Sequence, residues 1–320
     1  MKVMMDKRVY GVLGISSIMA NWNADFSGYP KTTSDGRTFG SDKAFKYPIK
    51  KMWNDQGEKV LYIKSMCMFD KKGEVSLIPK TLKERYEQLF GKMEGKKNAE
   101  QVLSNLFQAI DVKNFGATFA ESGMNISITG AVQIGQGFNH YGDTEPQEQS
   151  ILSPFRDPSA KEKSKEDEEA KNSTLGTKIV SNEAHYFYPF SINPLAYKEF
   201  VELGVTEGYT EEDYAKFKEA ALSAATSFAT NAKIGCENEF ALLVETEPIL
   251  YLPTLSGYVD FIKGKDGELN TIKIGIMELL EKVMNRIYSI QVYYNPYTTQ
   301  ILPMKKEGIK YYNIFTREEV

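Results

Sequence analysis

The charged segment KEKSKEDEEAKNS (residues 161–173) sets the strongest limit on how this chain of 320 residues folds. Such a run has no apolar side chains to give to a core. It nevertheless lies between two segments of strand composition, MNISITGAVQIGQ (124–136) and TKIVSNEAHYFYPFSINP (177–194). We therefore predict that residues 137–184 form a long excursion from one strand to the next. Its charged part, residues 156–175, is predicted to be mobile.

The other elements mix strands and helices without an internal repeat. Ser41 and Asp42 offer an N-cap for a helix that runs to about Trp53, and Pro48 predicts a kink or a restart near Tyr47. The hydrophobic patterns predict further strands at 8–20, 58–69, 238–252 and 286–296, and helices at 80–92, 98–110, 210–231 and 275–285. This irregular order favours a single domain of mixed α and β structure with a largely antiparallel sheet.

The charges are distributed unevenly along the chain. The net charge is −4, yet residues 1–100 carry 19 Lys and Arg against 12 Asp and Glu, while residues 101–320 carry 20 against 31. The basic first third permits a site for a polyanion without requiring one.

Compartment and membrane signals are few. Cys67 and Cys236 stand far apart without the spacing of a zinc site or a disulfide framework, which fits a reducing cytoplasm. The apolar run at 8–20 is short and lacks a small-x-small cleavage site, so we expect no secretory signal. It is also too short to span a membrane.

Catalytic signatures are sparse. The two histidines, His140 and His185, are too few for a histidine-based metal site or a Ser/His/Asp triad, and for each we favour a structural or solvated role. No P-loop is present. Asp25, Asp35 and Asp42 have the ligand chemistry for a hard cation, but aspartates are also ordinary turn residues, and we favour the turn. We expect no metal and no cofactor.

The stretch GRTFGSDKAFKYPIKK (36–51) is more informative. In a helix that begins at Asp42, Lys43, Lys46 and Lys50 fall on one face. A solvated amphipathic helix explains this pattern too. The preceding loop adds Lys31 and Arg37 among glycines and small polar residues, whose backbone donors can approach phosphates.

The N-terminal residues resemble a known family. The stretch MANWNADFSGYP, followed by GRTFGSDKAFKYPIKKMW, is similar to the signature of the CRISPR backbone subunits of type I Cascade complexes, particularly types I-B and I-C. That pattern reads roughly Asn-Pro-Asn-Gly-Asp-Pro, a Pro-Arg-x-Asp turn, Gly-Arg, then Ser-Asp and a basic helix. The positions that match it are Asn21, Asn23, Asp25, Arg37, Ser41, Asp42, Lys46 and Lys50. The positions that depart from it are Trp22, Ala24, Phe26 and Pro48.

Two later segments support the resemblance. NISITGAVQIGQGFN (125–139) is similar to the family strand SITGPVQ that leads into a segment called the thumb, and IDVKNFGATFA (110–120) resembles the run before it. TKIVSNEAHYFYPFSINP (177–194) resembles the return strand of the thumb. These matches occur in the family's order and cover about two thirds of the chain.

The resemblance implies an α+β fold with an RRM-like (ferredoxin-like) palm, helical finger insertions at 70–123 and a β-hairpin thumb. It also implies a non-catalytic subunit that polymerises head to tail along CRISPR RNA in antiviral defence. Such a subunit holds the sugar-phosphate backbone without reading sequence, so that the guide pairs with target DNA. The implied partners are CRISPR RNA, target DNA through the guide, copies of the same chain and other Cascade subunits, in the cytoplasm.

The resemblance also assigns roles to residues. Phosphate contacts are expected from the cations, the loop is ordered by the two asparagines, and apolar thumb residues wedge beside a displaced base. The expected RNA-binding residues are Lys31, Arg37, Lys43, Lys46, Lys50, Lys178, Asn21 and Asn23, and the expected wedge residues are Ile151, Leu152 and Phe155.

Two alternatives remain at this stage. A type III-like backbone ribonuclease would use a loop aspartate, Asp25 or Asp35, to cleave paired target RNA. A CRISPR-RNA processing endonuclease would use His140 as a general base.

Overall fold

The apolar run near the N-terminus forms the central strand of the largest sheet. The computed structural model describes residues 3–71, 73–93, 99–152, 174–303 and 307–320, and there this strand, β1, spans Arg8–Ala20. Leu13 and Ile15 enter one hydrophobic core, and Val12 enters a second core. The run is apolar nearly throughout because both faces of the strand are covered.

Fifteen further strands and seven helices are present in the described residues. The strands are β2 Phe39–Gly40, β3 Met66–Lys71, β4 Glu74–Pro79, β5 Gly116–Phe119, β6 Ile126–Thr129, β7 Val132–Ile134, β8 Gly137–Asn139, β9 Pro146–Leu152, β10 Thr174–Ile192, β11 Cys236–Thr246, β12 Val259–Ile262, β13 Asn270–Ile274, β14 Ile287–Tyr294, β15 Thr299–Leu302 and β16 Ile309–Asn313. The helices are α1 Asp42–Asp55, α2 Leu82–Phe90, α3 Ala99–Gln108, α4 Ile110–Phe115, α5 Lys198–Glu202, α6 Glu211–Ser227 and α7 Met277–Glu281.

The large sheet is mostly antiparallel. β1 lies between β10 and β11 and pairs antiparallel with both, and β14 continues the sheet antiparallel to β11. β16 adds a parallel edge next to β14. The other side of β10 pairs with β7, β8 and β9 in turn, and β2 pairs with β8. The prediction of a mixed α and β fold with a largely antiparallel sheet is therefore confirmed.

Each face of this sheet is covered by a different layer. On one face, α1 and α6 bury Phe45, Trp53 and Phe217 against the odd-numbered side chains of β1. On the other face, β12, β13 and β15 form a three-stranded sheet that, with α7, packs on Phe187 and Phe240. The sheet is thus the middle of three layers.

Residues 66–79 form a hairpin that the sequence pattern did not predict. The predicted strand at 58–69 begins only at Met66, and within the described residues β3 and β4 pair with no other strand. Several of its apolar side chains are exposed; the exposed fractions are 73% for Met68, 65% for Val75 and 59% for Leu77. The region predicted as a helical finger, 70–123, accordingly contains most of this hairpin as well as α2, α3 and α4.

Helix α1 continues through Pro48. It spans Asp42–Asp55 as one element, and the hydroxyl of its N-cap residue, Ser41, accepts a hydrogen bond from the N–H of Ala44. The predicted restart near Tyr47 is therefore wrong. Pro48 is buried together with Phe45 and Ile49, and this packing outweighs the loss of one backbone donor.

None of the helices in the described ranges has the length and apolar character needed to cross a bilayer.

A buried ion network connects the large sheet to the three-stranded sheet. The imidazole Nδ1 of His185 lies 2.8 Å from Glu239 Oε2, and Nε2 lies 2.9 Å from Glu183 Oε1. Lys263 Nζ is 2.6 Å from the same Glu183 oxygen, and the Phe261 ring stacks on the imidazole at 3.7 Å between centroids. Burial by itself would lower the pKa of His185, but the charge of Glu239 and the hydrogen bonds to both carboxylates raise that pKa to about 9.

This network predicts a loss of stability at alkaline pH. The folded-state pKa of His185 exceeds its ordinary value near 6.5, so its stabilisation is complete below that pH and is lost as pH rises through about 9. We expect the free energy of unfolding to fall by roughly 3 kcal/mol at most over this window. Urea denaturation of the wild type and of His185→Gln at several pH values measures it.

The matched control is His140→Gln. Burial lowers the pKa of His140, so its replacement should leave the alkaline loss in place. If His185→Gln shows the same alkaline decline as the wild type, then the network does not cause it.

Candidate nucleic-acid interface

The loop between β1 and β2 folds into two turns on either side of Lys31. The N–H of Lys31 donates to the carbonyl of Asn23 at 2.8 Å, and the N–H of Phe39 donates to the carbonyl of Lys31 at 2.9 Å. Isolated bridges close the two turns, at residues 24 with 30 and 32 with 38. Lys31 is therefore fixed where the two turns meet.

Asn21 and Asn23 hold this loop together. Asn21 is buried, and its Nδ2 donates to the carbonyls of Gly28 at 2.8 Å and of Ile179 on β10 at 3.1 Å. Asn23 Oδ1 accepts from the N–H of Ser41 at 2.7 Å, which connects the loop to the start of α1. Both side chains are engaged with backbone groups, as the expectation that they order the loop requires.

A basic cleft opens beside Lys31. It has a volume of about 370 Å³ and is lined by Lys31, Thr33, Phe39, Ser41, Asp42, Lys43, Gln136 and Phe138. The ammonium of Lys31 lies 5.6 Å from the centroid of the Phe39 ring, and the guanidinium carbon of Arg37 lies 4.5 Å from that of Phe138. Cations and aromatic rings alternate along this surface, which we call the basic cleft.

The two aromatic rings of the cleft, Phe39 and Phe138, were not predicted as site residues. Phe39 and Phe138 stand opposite each other because β2 pairs with β8, although about a hundred residues separate them in sequence. Gly40 and Gly137 follow and precede them, and a Cβ at either glycine would lie within 2.4 Å of a Tyr188 side-chain atom. Phe39-Gly40 and Gly137-Phe138 were the sequence signal for this contact, because only glycine lets β2 and β8 lie against the Tyr188 ring.

The three lysines of α1 do not form one open basic face. Lys43 is exposed, with 88% of its side chain accessible, whereas Lys46 pairs with Asp42 at 3.0 Å and lies over the Phe115 ring. Lys50 is half-buried: its Nζ donates to the carbonyl of Tyr62 at 2.8 Å, and burial lowers its pKa. Because α1 buries the neighbouring positions 45 and 49, only Lys43 of the three reaches the basic cleft. Lys50 is therefore bonded within its own chain, and its expected phosphate contact stays a prediction.

The thumb residues that the structure describes lie on the two strands of the β9–β10 hairpin, with Ile151 and Leu152 at the outer end of the described ladder. Lys178 on β10 stands opposite Gln149 and is 3.3 Å from Asn231 Oδ1. Ile151 is 40% exposed on β9, and the backbone of Leu152 pairs with Thr174. The expected wedge residue Phe155 and the charged segment up to residue 173 lie outside the described residues.

The candidate acids and the candidate base, His140, each have a local contact. Asp25 Oδ1 accepts hydrogen bonds from the N–H groups of Ser27 at 2.8 Å and Tyr29 at 3.0 Å, so it braces a turn. Asp35 accepts a hydrogen bond from the Thr33 hydroxyl, which lowers the pKa of that carboxyl. His140 packs on the Phe187 ring at 5.0 Å between centroids.

Within the described ranges, no group of three or more His, Cys, Asp or Glu side chains is arranged to hold an ion.

Comparison with known proteins decides the family. The family model described as CRISPR-associated protein Cas7 matches residues 7–271. The chain belongs to the Cas7 family. This confirms the resemblance drawn from the loop after β1 and from the segments around the thumb.

One solved structure shares the fold at low sequence identity. One chain of a "CRISPR RNA-guided surveillance complex, pre-nicking" matches with a TM-score of 0.50 and 14% identity, covering 96% of each chain. A chain of another "CRISPR RNA-guided surveillance complex" matches with a TM-score of 0.45 and 13% identity, covering 92% of this chain and 95% of that one. No curated protein matches the sequence significantly.

The different environments of the α1 lysines predict different effects on stability. Lys50→Met removes the donor to the Tyr62 carbonyl and a positive charge near buried Asp111, so we expect a loss of about 1–3 kcal/mol in the free energy of unfolding. The exposed Lys43→Met is the control, with an expected change within about 0.5 kcal/mol. Equal urea midpoints for the two variants would show that Lys50 has no structural role.

Proposed function

We propose that this Cas7 family member is a backbone subunit of a type I CRISPR surveillance complex, which binds CRISPR RNA through its sugar-phosphate backbone. The basic cleft is the observation that carries the proposal. Lys31, Arg37 and Lys43 present exposed cations beside the rings of Phe39 and Phe138. Cations that follow phosphates and rings that stack bases are how proteins bind single strands of arbitrary sequence.

The order of elements supports an RRM-like palm. β1, α1, β10, α6 and β11 follow one another in the chain, the three strands lie in the order β10–β1–β11, and both helices pack on one face. The short strands β7, β8 and β9 occupy the remaining edge of β10. This is the arrangement of a βαββαβ unit whose edge strand is divided into pieces.

The β9–β10 hairpin is evidence for the proposed thumb. Its two strands are antiparallel from the Pro146–Ser181 pair outward to the Leu152–Thr174 pair. Residues 137–152 thus leave the palm along β8 and β9, and β10 leads back into it. In the proposed complex this hairpin contacts the RNA held by a neighbouring copy.

The exposed β3–β4 hairpin is evidence for the proposed contacts between copies of the chain. A two-stranded ribbon gains little stability alone, and this one exposes Met68, Val75 and Leu77. The net charge is positive in residues 1–100 and negative in residues 101–320, so contacts between these two parts of neighbouring copies are electrostatically favourable in a head-to-tail polymer. Other subunits of the complex would join at the ends, and target DNA would pair with the exposed guide bases.

The proposed subunit is non-catalytic and acts in the cytoplasm. The carboxylates of Asp25 and Asp35 are engaged in turns rather than grouped with each other. Both cysteines, Cys67 and Cys236, are free thiols, as is usual in a reducing compartment.

Charge reversal in the basic cleft tests RNA binding. We expect Lys31→Glu, Arg37→Glu and Lys43→Glu together to weaken binding of a single-stranded CRISPR RNA strongly. The slope of log K against log salt concentration should become shallower by about 2 because three phosphate contacts are lost. Filter binding at several salt concentrations measures both quantities.

The control is Lys265→Glu, in the exposed turn between β12 and β13, which should leave affinity and slope unchanged. Wild-type binding by the triple variant would place the RNA elsewhere. Mass photometry on RNAs of increasing length tests the polymer, because bound mass should rise in steps of one subunit.

The absence of catalysis is tested with complementary RNA. Assembled complex is incubated with paired target RNA and Mg²⁺, and the products are separated by denaturing electrophoresis. We expect intact RNA, because the described acidic side chains form no metal cluster. Cuts at regular intervals that disappear in Asp35→Asn would instead establish the type III-like ribonuclease.

A further inference from the structure

Phe26 is an aromatic side chain with no cover. Its exposed fraction is 111%, whereas the next most exposed aromatic residues in the described ranges are Tyr297 at 82% and Tyr251 at 73%. Phe26 is also a position where the sequence departs from the family pattern. A ring this exposed adds nothing to the core of its own chain, so its role must be sought outside the chain.

The backbone that carries Phe26 is held in place. Asp25 Oδ1 accepts from the N–H groups of Ser27 and Tyr29, and the N–H of Asp25 donates to the carbonyl of Tyr29 at 2.8 Å. The carbonyl of Gly28 accepts from Asn21 Nδ2 at 2.8 Å, and the Tyr29 hydroxyl donates to Glu148. The ring therefore projects from a rigid turn, which lowers the conformational entropy lost when it binds.

The turn stands between the basic cleft and the thumb. The turn begins at the backbone hydrogen bond between Asn23 and Lys31, at the edge of the cleft. Phe26 is three residues after Asn23, so the Cα atoms of the two residues are at most about 11 Å apart. Its other side contacts the β9–β10 hairpin through Ile179 and Glu148. The turn thus borders both the basic cleft and the β9–β10 hairpin.

The surroundings of the ring select a base rather than a phosphate or a protein. Asp25 and Glu148 place negative charge around the turn, which repels phosphate. The neighbours Ala24, Ser27 and Gly28 are small or polar, so the ring lacks the apolar surround of a protein-docking anchor. A nucleobase requires only a ring face to stack on.

We propose that Phe26 is a stacking platform for an unpaired nucleobase of the RNA strand held in the basic cleft. The inference rests on the proposed RNA-binding function and adds to it a contact with the bases. Such a contact strengthens binding without selecting sequence, because every base has a stacking face.

The affinity test separates stacking from charge. Phe26→Ala should weaken binding of an unstructured single-stranded RNA of about 40 nucleotides by roughly tenfold or more. The dependence on salt should keep its wild-type slope because no phosphate contact is removed. Phe26→Trp should restore the affinity, whereas Phe26→Leu should not.

Fluorescence gives a readout that a purely structural role would not change. The native Trp22 and Trp53 are each 1% exposed, so Phe26→Trp introduces the accessible tryptophan. We expect its emission to be quenched when RNA is added. Tyr297→Trp, at another exposed aromatic position, is the matched control and should keep its emission.

Three results would overturn the inference. If Phe26→Ala binds RNA like the wild type and tryptophan emission at position 26 is unchanged, the stacking contact is absent while the RNA-binding function stands. If that emission changes with protein concentration before RNA is added, a second copy covers the ring instead. If the wild type binds no RNA, the proposed function itself fails.

Discussion

The hydrogen bond between Trp22 and Tyr188 joins the loop with the cations to the centre of the fold. The indole N–H donates to the tyrosine hydroxyl at 2.5 Å, and both side chains are almost fully buried. The centroid of the Tyr188 ring lies 5.2 Å from that of Phe45 on α1. Gly40 and Gly137 lie against the Tyr188 side chain. Trp22, Phe45 and the paired strands that carry Phe39 and Phe138 thus pack against one residue of β10.

This dependence explains why the cleft is fixed although loops form most of it. Loops need either hydrogen bonds or a packed support to hold a geometry. Here Asn21, Asn23 and the carbonyls that they contact supply hydrogen bonds, and Tyr188 supplies the support. The cations of the cleft are therefore held in position by neutral hydrogen bonds and packing rather than by buried charged groups.

The sequence predicts the long elements of the fold better than its short strands. β1, β10, α1 and α6 were predicted close to their observed bounds, whereas the predicted strand 238–252 runs six residues beyond the end of β11 at Thr246. The three-stranded sheet was missed because β12, β13 and β15 have only four or five residues each and pair across long loops. The sequence signal for β12 and β13 was limited to one alternating apolar pair in each strand, Val259 with Phe261 and Ile272 with Ile274.

The site shows the same limit. Spacing alone placed Lys43, Lys46 and Lys50 on one face, but the rotation of α1 against the sheet decides which lysine meets solvent. That rotation depends on what covers Phe45 and Ile49, and no local pattern contains that information. Phe138 was missed for a related reason, because its partner strand lies far away in sequence.

The three-stranded sheet has a consequence for specificity. In many RNA-binding domains of the RRM class, bases stack on an open sheet face where side chains read their edges. Here that face is occupied by Val259, Ile272, Ile301 and their neighbours, which cover Phe187 and Phe240. An RNA bound at the cleft is confined to loops at the margin of the sheet, where few groups can distinguish one base from another. In the proposed function, this covered face leaves the subunit few groups with which to read bases, so the subunit would hold any guide.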